Sequence, residues 1–391
     1  MDEIARLILF LMKNVSVINK FVLLIILVLV VSIFTQHKTT KAATNTNNIF
    51  IPLVMNNYFN GYSTSEKLIG IYMKVYWTNE TVYNMTLADK LADKKHSISG
   101  WFIDIEDKHF NNPPHEDMDT NNLYRQLEAL WKHGYISFVN INSQIASSYE
   151  IANGNYDDQL NNLADAYKNW VDLGGGRKAI FAPLPEMNGV YSNGVPWKNY
   201  AGDPVNFKLA YQHILEIFRD KGIDSTKVWW SFAPNGWNDP DLPAHAFEKY
   251  YPGDGLVDII GFSSYNYGYC HVAIPWESWE NYDTLYQPYL SRIFEMAPSK
   301  PIIITQTGTT AEYPETDDFN VDMKNKWLRE NYEYISKQPQ VLGILYYDYD
   351  QSSWECNWKV TSGGDFSGYR DGAANAPYQY LFINELETLI P

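Results

Sequence analysis

Short apolar runs alternate with amphipathic stretches through most of the chain. The runs Leu68–Tyr72 (LIGIY), Ile98–Ile105 (ISGWFIDI), Tyr135–Ile141 (YISFVNI) and Ala179–Leu184 (AIFAPL) read as strands. So do Lys227–Phe232 (KVWWSF), Val257–Phe262 (VDIIGF), Pro301–Thr305 (PIIIT) and Val341–Tyr347 (VLGILYY). Nearly every residue in them is apolar, the pattern of a strand buried on both faces. Between them, Leu160, Leu163, Ala164, Tyr167, Trp170 and Val171 fall on one helical stripe, as do Phe207, Ala210, Tyr211, Ile214, Leu215 and Phe218. Asp203-Pro204 opens the second of these helices as N-cap and first turn. Leu123, Leu127 and Leu130 mark another, and Trp327, Tyr334 and Ile335 a later one. Gly174 to Gly176 precede a strand, so they read as a helix C-cap turn rather than a phosphate loop. Eight β–α units predict a single (β/α)8 TIM barrel over residues 63–391. The alternative, an open doubly wound sheet, lacks its glycine-rich dinucleotide turn.

The first 62 residues are set apart. Residues 21–34 (FVLLIILVLVVSIF) are apolar, with Lys13 and Lys20 before them and Ala42-Ala43 after. Residues 1–43 thus read as a signal peptide or a membrane anchor, shorter in its apolar core than the ~20 residues a span prefers. Residues 44–62 read as a polar tether, and the expected location is extracellular or at the cell surface. A net charge of −16 repels nucleic acid and anionic polysaccharide and suits a neutral ligand. Membrane contact is expected only through the N-terminal segment. In an exported chain the two cysteines, Cys270 and Cys356, are either bonded or two separate thiols. Aromatic residues make up 16% of the chain, with 13 Trp and 30 Tyr, and flat rings with N–H and O–H groups fit sugar faces.

In such a barrel chemistry sits at the C-terminal ends of the strands. Those ends offer Asp104, Glu106 and Asp107, then Asn140 and Asn142, Glu186 and Asn188, Asn235 and Trp237. Further on come Tyr265 and Asn266, Gln306, and Tyr347, Asp348 and Asp350. No His/Cys cluster stands at metal-ligand spacing, and no G-x-S-x-G motif occurs. No cofactor is expected. What remains is acid–base work on a polyol. Glycoside hydrolysis does this with two carboxyl groups across a cleft.

Five segments in order, YEIANGNYDDQLNNLADAYKNW, PLPEMNGVYSNGVPW, FKLAYQHILEIFRDKGIDSTKVWWSFAPNGW, VDIIGFSSYNYG and KPIIITQTGTT, resemble glycoside hydrolase family 26, best known for β-mannanases. The resemblance implies that Glu186 is the acid/base and that Tyr265 hydrogen-bonds the nucleophile. It also implies that Trp230, Asn235 and Trp237 line the cleft, with Tyr191 and Trp197 on the strand-four loop; Asn188, Tyr347 and Asp348 join the candidate substrate-binding residues by their place at strand ends. The nucleophile position falls on Gln306. Pro185 stands where family mannanases commonly carry a histidine, and Ala182 or Phe181 where they carry an arginine.

The expected function is an exported glycoside hydrolase, endo-β-mannanase-like, on neutral β-linked polysaccharide such as β-mannan or mixed-linkage β-glucan. In that case Asp348, Asp350, Glu312, Asp104 or Glu106 stands in for the missing carboxylate. The alternative is a carbohydrate-binding pseudoenzyme, because an amide cannot readily form the covalent glycosyl intermediate.

Overall fold

Each of the eight apolar runs is a strand, because hydrogen-bonding neighbours on both sides and apolar layers on both faces leave no polar position along it to satisfy. The computed structural model describes residues 63–73, 78–106, 120–237, 241–268, 270, 279–313, 318–352, 356–375 and 377–390. The expected leader and tether, Asp107 and the Pro-rich loop after it lie outside these residues.

The strands are β1 (Leu68–Met73), β2 (Ile98–Asp104), β3 (Ile136–Asn142), β4 (Ala179–Pro183), β5 (Val228–Phe232), β6 (Ile259–Asn266) and β7 (Ile302–Thr309). A small antiparallel pair follows, β8 (Glu312–Tyr313) and β9 (Asp318–Phe319), and then β10 (Val341–Asp348). The other eight close in the order β1-β10-β7-β6-β5-β4-β3-β2, every neighbour parallel. This is the (β/α)8 TIM barrel. Helices Thr120–Lys132, Asp157–Val171, Pro204–Asp220 and Val321–Ser336 stand where the stripes place them. Asp203 accepts from the amides of Val205 and Asn206 and caps its helix as expected.

Two strands run four residues further than their apolar runs. β6 and β7 stay paired through four polar positions, Ser263 with Gln306 to Asn266 with Thr309. Between Ile304 and Thr307, β7 also carries one residue more than either neighbour, a bulge at Thr305.

Successive side chains divide into two clusters. Leu68, Ile98, Ile136, Ile180, Trp229 and Ile303 pack inside the barrel. Ile69, Ile71, Val139, Phe181, Trp230 and Ile304 pack outside, under the helices. The end at which the strands begin is closed by the C-terminal segment, whose Leu381, Ile383, Leu386 and Ile390 join the inner cluster. There the amide of Leu381 bonds Ser97 Oγ at 3.0 Å. At the other end the strands finish, and their terminal side chains meet there.

Tyr72 lies flat over Gly100. A Cβ on Gly100 would sit 2.4 Å from the Tyr72 ring. Gly100→Ala should therefore cost about 1–3 kcal/mol of unfolding free energy, read by denaturant titration. An unchanged midpoint would mean that the ring is free to move aside.

Candidate functional site

Glu186 is reached by an unusual backbone. Leu184 and Glu186, either side of Pro185, both have left-handed φ, +50° and +59°. For side-chain-bearing residues this costs on the order of 1–3 kcal/mol each, and it persists only where surroundings enforce it. Here they do. The amide of Leu184 bonds Ile141 O at 2.7 Å, and that of Glu186 bonds Ala233 O at 2.8 Å. The end of β4 is thus hooked to both neighbours. Asn188 locks it further. Its Nδ2 donates to Asn235 O at 2.9 Å and its Oδ1 accepts the Asn235 amide at 2.8 Å. Buried at 2% exposure, Asn188 positions the backbone rather than meeting solvent.

Three donors hold the Glu186 carboxylate. Asn235 Nδ2 lies 3.1 Å from Oε1, Ser263 Oγ donates to the same oxygen, and Lys198 Nζ lies 3.6 Å from Oε2. Ser263 and Lys198 were not singled out from sequence. Strand alternation from Tyr265 would have found Ser263; Lys198, beside Trp197 in a loop, carries no such signal.

Ser263 stands opposite Gln306 in the β6–β7 ladder. The bulge at Thr305 turns Gln306 to the inner face with it, and Gln306 is 5% exposed. Tyr265 Oη donates to Gln306 Oε1 at 2.9 Å. The structure thus brings Glu186, Asn235, Ser263, Tyr265 and Gln306 into one connected group across β4 to β7. Tyr347 joins it from β10, its ring 5.6 Å from Tyr265 and 6.2 Å from Tyr72. Burial raises the Tyr72 hydroxyl well above its ordinary pKa, and the charge of Glu186 adds to this. Tyr200 is likewise raised by burial, then by Glu186, Asp104 and Glu106. Its hydroxyl bonds Asn142 Oδ1 and Pro185 O, each at 2.7 Å.

Aromatic side chains stand around the mouth. Tyr191 and Trp237 are exposed, and Trp197 packs beneath Tyr191 with its ring against Gly189. The Trp237 amide is held by Asn235 Oδ1 at 2.9 Å.

Several expected residues stand elsewhere. Trp230 does not line the cleft. It is buried outside the barrel, 5.2 Å from Phe218 and 5.9 Å from Phe181, while Trp229 takes the inner position. The alternation in β5 starts from Val228 on the outer face, which places every even-numbered residue outward. Asp348 also faces outward, in register with Tyr346. It accepts the Val360 amide at 2.7 Å, and burial raises its pKa. Glu106 is saturated by the loop after β3, taking Ser143 Oγ at 2.5 Å and the amides of Gln144, Ile145 and Ala146. Asp350 holds Ser352 in a turn, and Asn266 bonds Thr309 and Glu280. Asp104 is on the inner row of β2 and accepts from Gln144 Nε2 at 3.0 Å. The Glu312 side chain lies outside the described residues. Among the described residues no group of three or more His, Cys, Asp or Glu is placed to hold a metal ion.

No family model matches the chain. Over 239 residues it is 26% identical to Endoglucanase H of Acetivibrio thermocellus, a match spanning 59% of this chain and 24% of that protein. Its fold is that of the GH26 endo-β-1,4-mannanase catalytic domain from Bacillus sp. JAMB-750, with TM-score 0.58, 16% identity, and 83% and 89% of the two chains covered. The GH26 domain of an endo-β-mannanase/endo-β-glucanase from Prevotella bryantii matches with TM-score 0.54, 16% identity, and 83% and 93% covered. A double mutant of the Cellulomonas fimi endo-β-1,4-mannanase gives TM-score 0.56 at 15% identity, covering 84% and 74%.

The two tryptophans separate cleanly by experiment. Trp230→Ala should lose about 3–5 kcal/mol of unfolding free energy, whereas Trp237→Ala should stay within about 0.5 kcal/mol of the natural chain. Urea titration of both variants checks this, and the reverse order would put Trp230 at the mouth.

Proposed function

We propose that the end of the barrel where the strands finish holds a glycoside-hydrolase-type cleft for neutral β-linked polysaccharide, with Glu186 as its acid/base. β-Mannan and mixed-linkage β-glucan are the ligand classes, in keeping with the names of the proteins it resembles. Exposed rings at Tyr191 and Trp237 supply apolar faces for sugar stacking. The net charge of −16 favours a neutral ligand over an anionic one. The chemistry needs no cofactor. The chain works outside the cell or at its surface, with the membrane reached only through the N-terminal segment. The Cys270–Cys356 disulfide, which persists in an oxidising compartment, supports this.

Displacement at a glycosidic carbon needs a second carboxyl group. The observation that carries the reading is the bond from Tyr265 Oη to Gln306 Oε1. A phenol aimed at that oxygen would serve a carboxylate nucleophile equally well, but an amide there cannot accept the glycosyl group. Glu106 and Asp348 are committed to backbone amides and cannot replace it. The geometry therefore favours a cleft that binds its saccharide with turnover arrested at position 306. An active hydrolase would have to work through another carboxylate, and Asp104 is the inward-facing one among the described residues.

Reducing-sugar release from β-mannan and from mixed-linkage β-glucan tests this directly. The natural chain should be silent while still binding oligosaccharide by calorimetry. Gln306→Glu should release product on the order of 100-fold or more above it, and Glu186→Ala in that background should abolish release. Release by the natural chain, lost in Glu186→Ala, would overturn the arrested reading in favour of a second carboxylate.

A further inference from the structure

The segment after β10 is tied down at three separate points. The Asp348 carboxylate takes the Val360 amide at 2.7 Å. Lys324, fully buried on helix Val321–Ser336, donates to the carbonyls of Lys359, Val360 and Ser362 at 2.6, 2.7 and 3.1 Å and to Ser362 Oγ at 2.8 Å. Cys356 is bonded to Cys270, beyond the end of β6, across 86 residues of chain. A buried lysine and a buried carboxylate are costly to keep, and a bond closing so long a loop restricts the unfolded chain strongly. So much anchoring of one surface loop calls for an object.

The object at its centre is Trp358. The backbone around it is a short pairing, with Trp358 N to Tyr349 O at 2.8 Å and Gln351 N to Cys356 O at 3.1 Å. Trp358 itself is 1% exposed, so it is covered by protein and offers no face to a ligand. Its ring lies 5.0 Å from that of Tyr265 and 5.0 Å from that of Tyr267. It also rests on Gly308, where a Cβ would come within 3.1 Å of its ring. Tyr265 is therefore pressed between Trp358 and Tyr347, which in turn stacks on Tyr349 at 4.4 Å. At the tip of the Tyr265 ring is the hydroxyl that donates to Gln306.

We propose that Trp358 is a positioning residue, and that the disulfide and Lys324 exist to hold it. Trp358 fixes the Tyr265 ring so that its hydroxyl stays on the side chain at 306. The disulfide is then part of the cleft's machinery as well as of its stability. This rests on the reading that position 306 meets the ligand.

The test reads the pair itself, without any saccharide. In the full chain with glutamine side chains labelled with nitrogen-15, the Gln306 side-chain amide resonance is assigned by its absence in Gln306→Glu. Tyr265→Phe removes the hydroxyl and sets the size of the shift expected when the bond is lost. Trp358→Leu, and separately the paired Cys270→Ser and Cys356→Ser variant, should move the resonance in the same direction. Adding Trp358→Leu to Tyr265→Phe should move it little further, and Trp358→Phe should keep most of the natural position. Oligosaccharide binding should weaken by about three- to tenfold in Trp358→Leu, the worth of one hydrogen bond. If Trp358→Leu and the cysteine pair lower the melting temperature but leave the Gln306 resonance in place, the loop is only structural and the proposal fails. If the resonance moves as expected while no saccharide binds to any variant, the positioning role stands and the polysaccharide reading falls.

Discussion

Between Ile304 and Thr307, strand β7 holds one residue more than β6 or β10, and the side-chain alternation changes phase there. Ile302 and Ile304 pack outward under the helices. Without the extra residue, position 306 would follow them, and a polar amide would be buried against apolar helix faces with no partner. With it, Gln306 turns inward beside Ser263 and beneath Tyr265. Hydrogen bonds join the strand ends there: Tyr265 donates to Gln306, Ser263 and Asn235 donate to Glu186, and Asn188 and Asn235 exchange bonds. Of these, the Tyr265–Gln306 bond depends on the irregularity in β7, and the others join the ends of β4, β5 and β6.

The charged groups near the mouth show how a barrel with many carboxylates can have few to spare. Glu106 gathers three backbone amides and a hydroxyl, which sets the course of the loop after β3. Asp348 and Lys324 do the same for the loop after β10. A buried carboxylate bonded to backbone N–H groups is tolerable because those bonds replace its water. The same bonds remove it from any reaction. Glu186 differs in kind. Its donors are side chains, Ser263, Asn235 and Lys198, and it sits at the rim where a ligand would pass.

How much of this could be read in the sequence follows from the physics of each signal. All eight barrel strands were legible, because strands buried on both faces leave uninterrupted apolar runs. Their polar extensions, Ser263 to Asn266 and Gln306 to Thr309, were not, since hydrogen-bonded polar residues in a strand look like a loop. Glu186 and Gln306 were legible by place, at the ends of runs. Which face a residue takes was the weak point. With both faces apolar, KVWWSF contains nothing to say which tryptophan points inward, and the structure chose Trp229. Asp348 failed for the same reason, one residue after an inward Tyr347. The C-terminal segment that seals the far end carries its apolar residues too sparsely to announce a plug.

A glutamine at 306 has a chemical logic of its own. A carboxylate there would be acceptor-only and charged. The amide carries no charge. Its oxygen takes the Tyr265 hydrogen, and its nitrogen remains a donor. Sugar hydroxyls both give and receive hydrogen bonds, and a neutral amide can do the same. The bulge at Thr305 keeps the side chain at 306 on the inner face, where the Tyr265 hydroxyl bonds its oxygen.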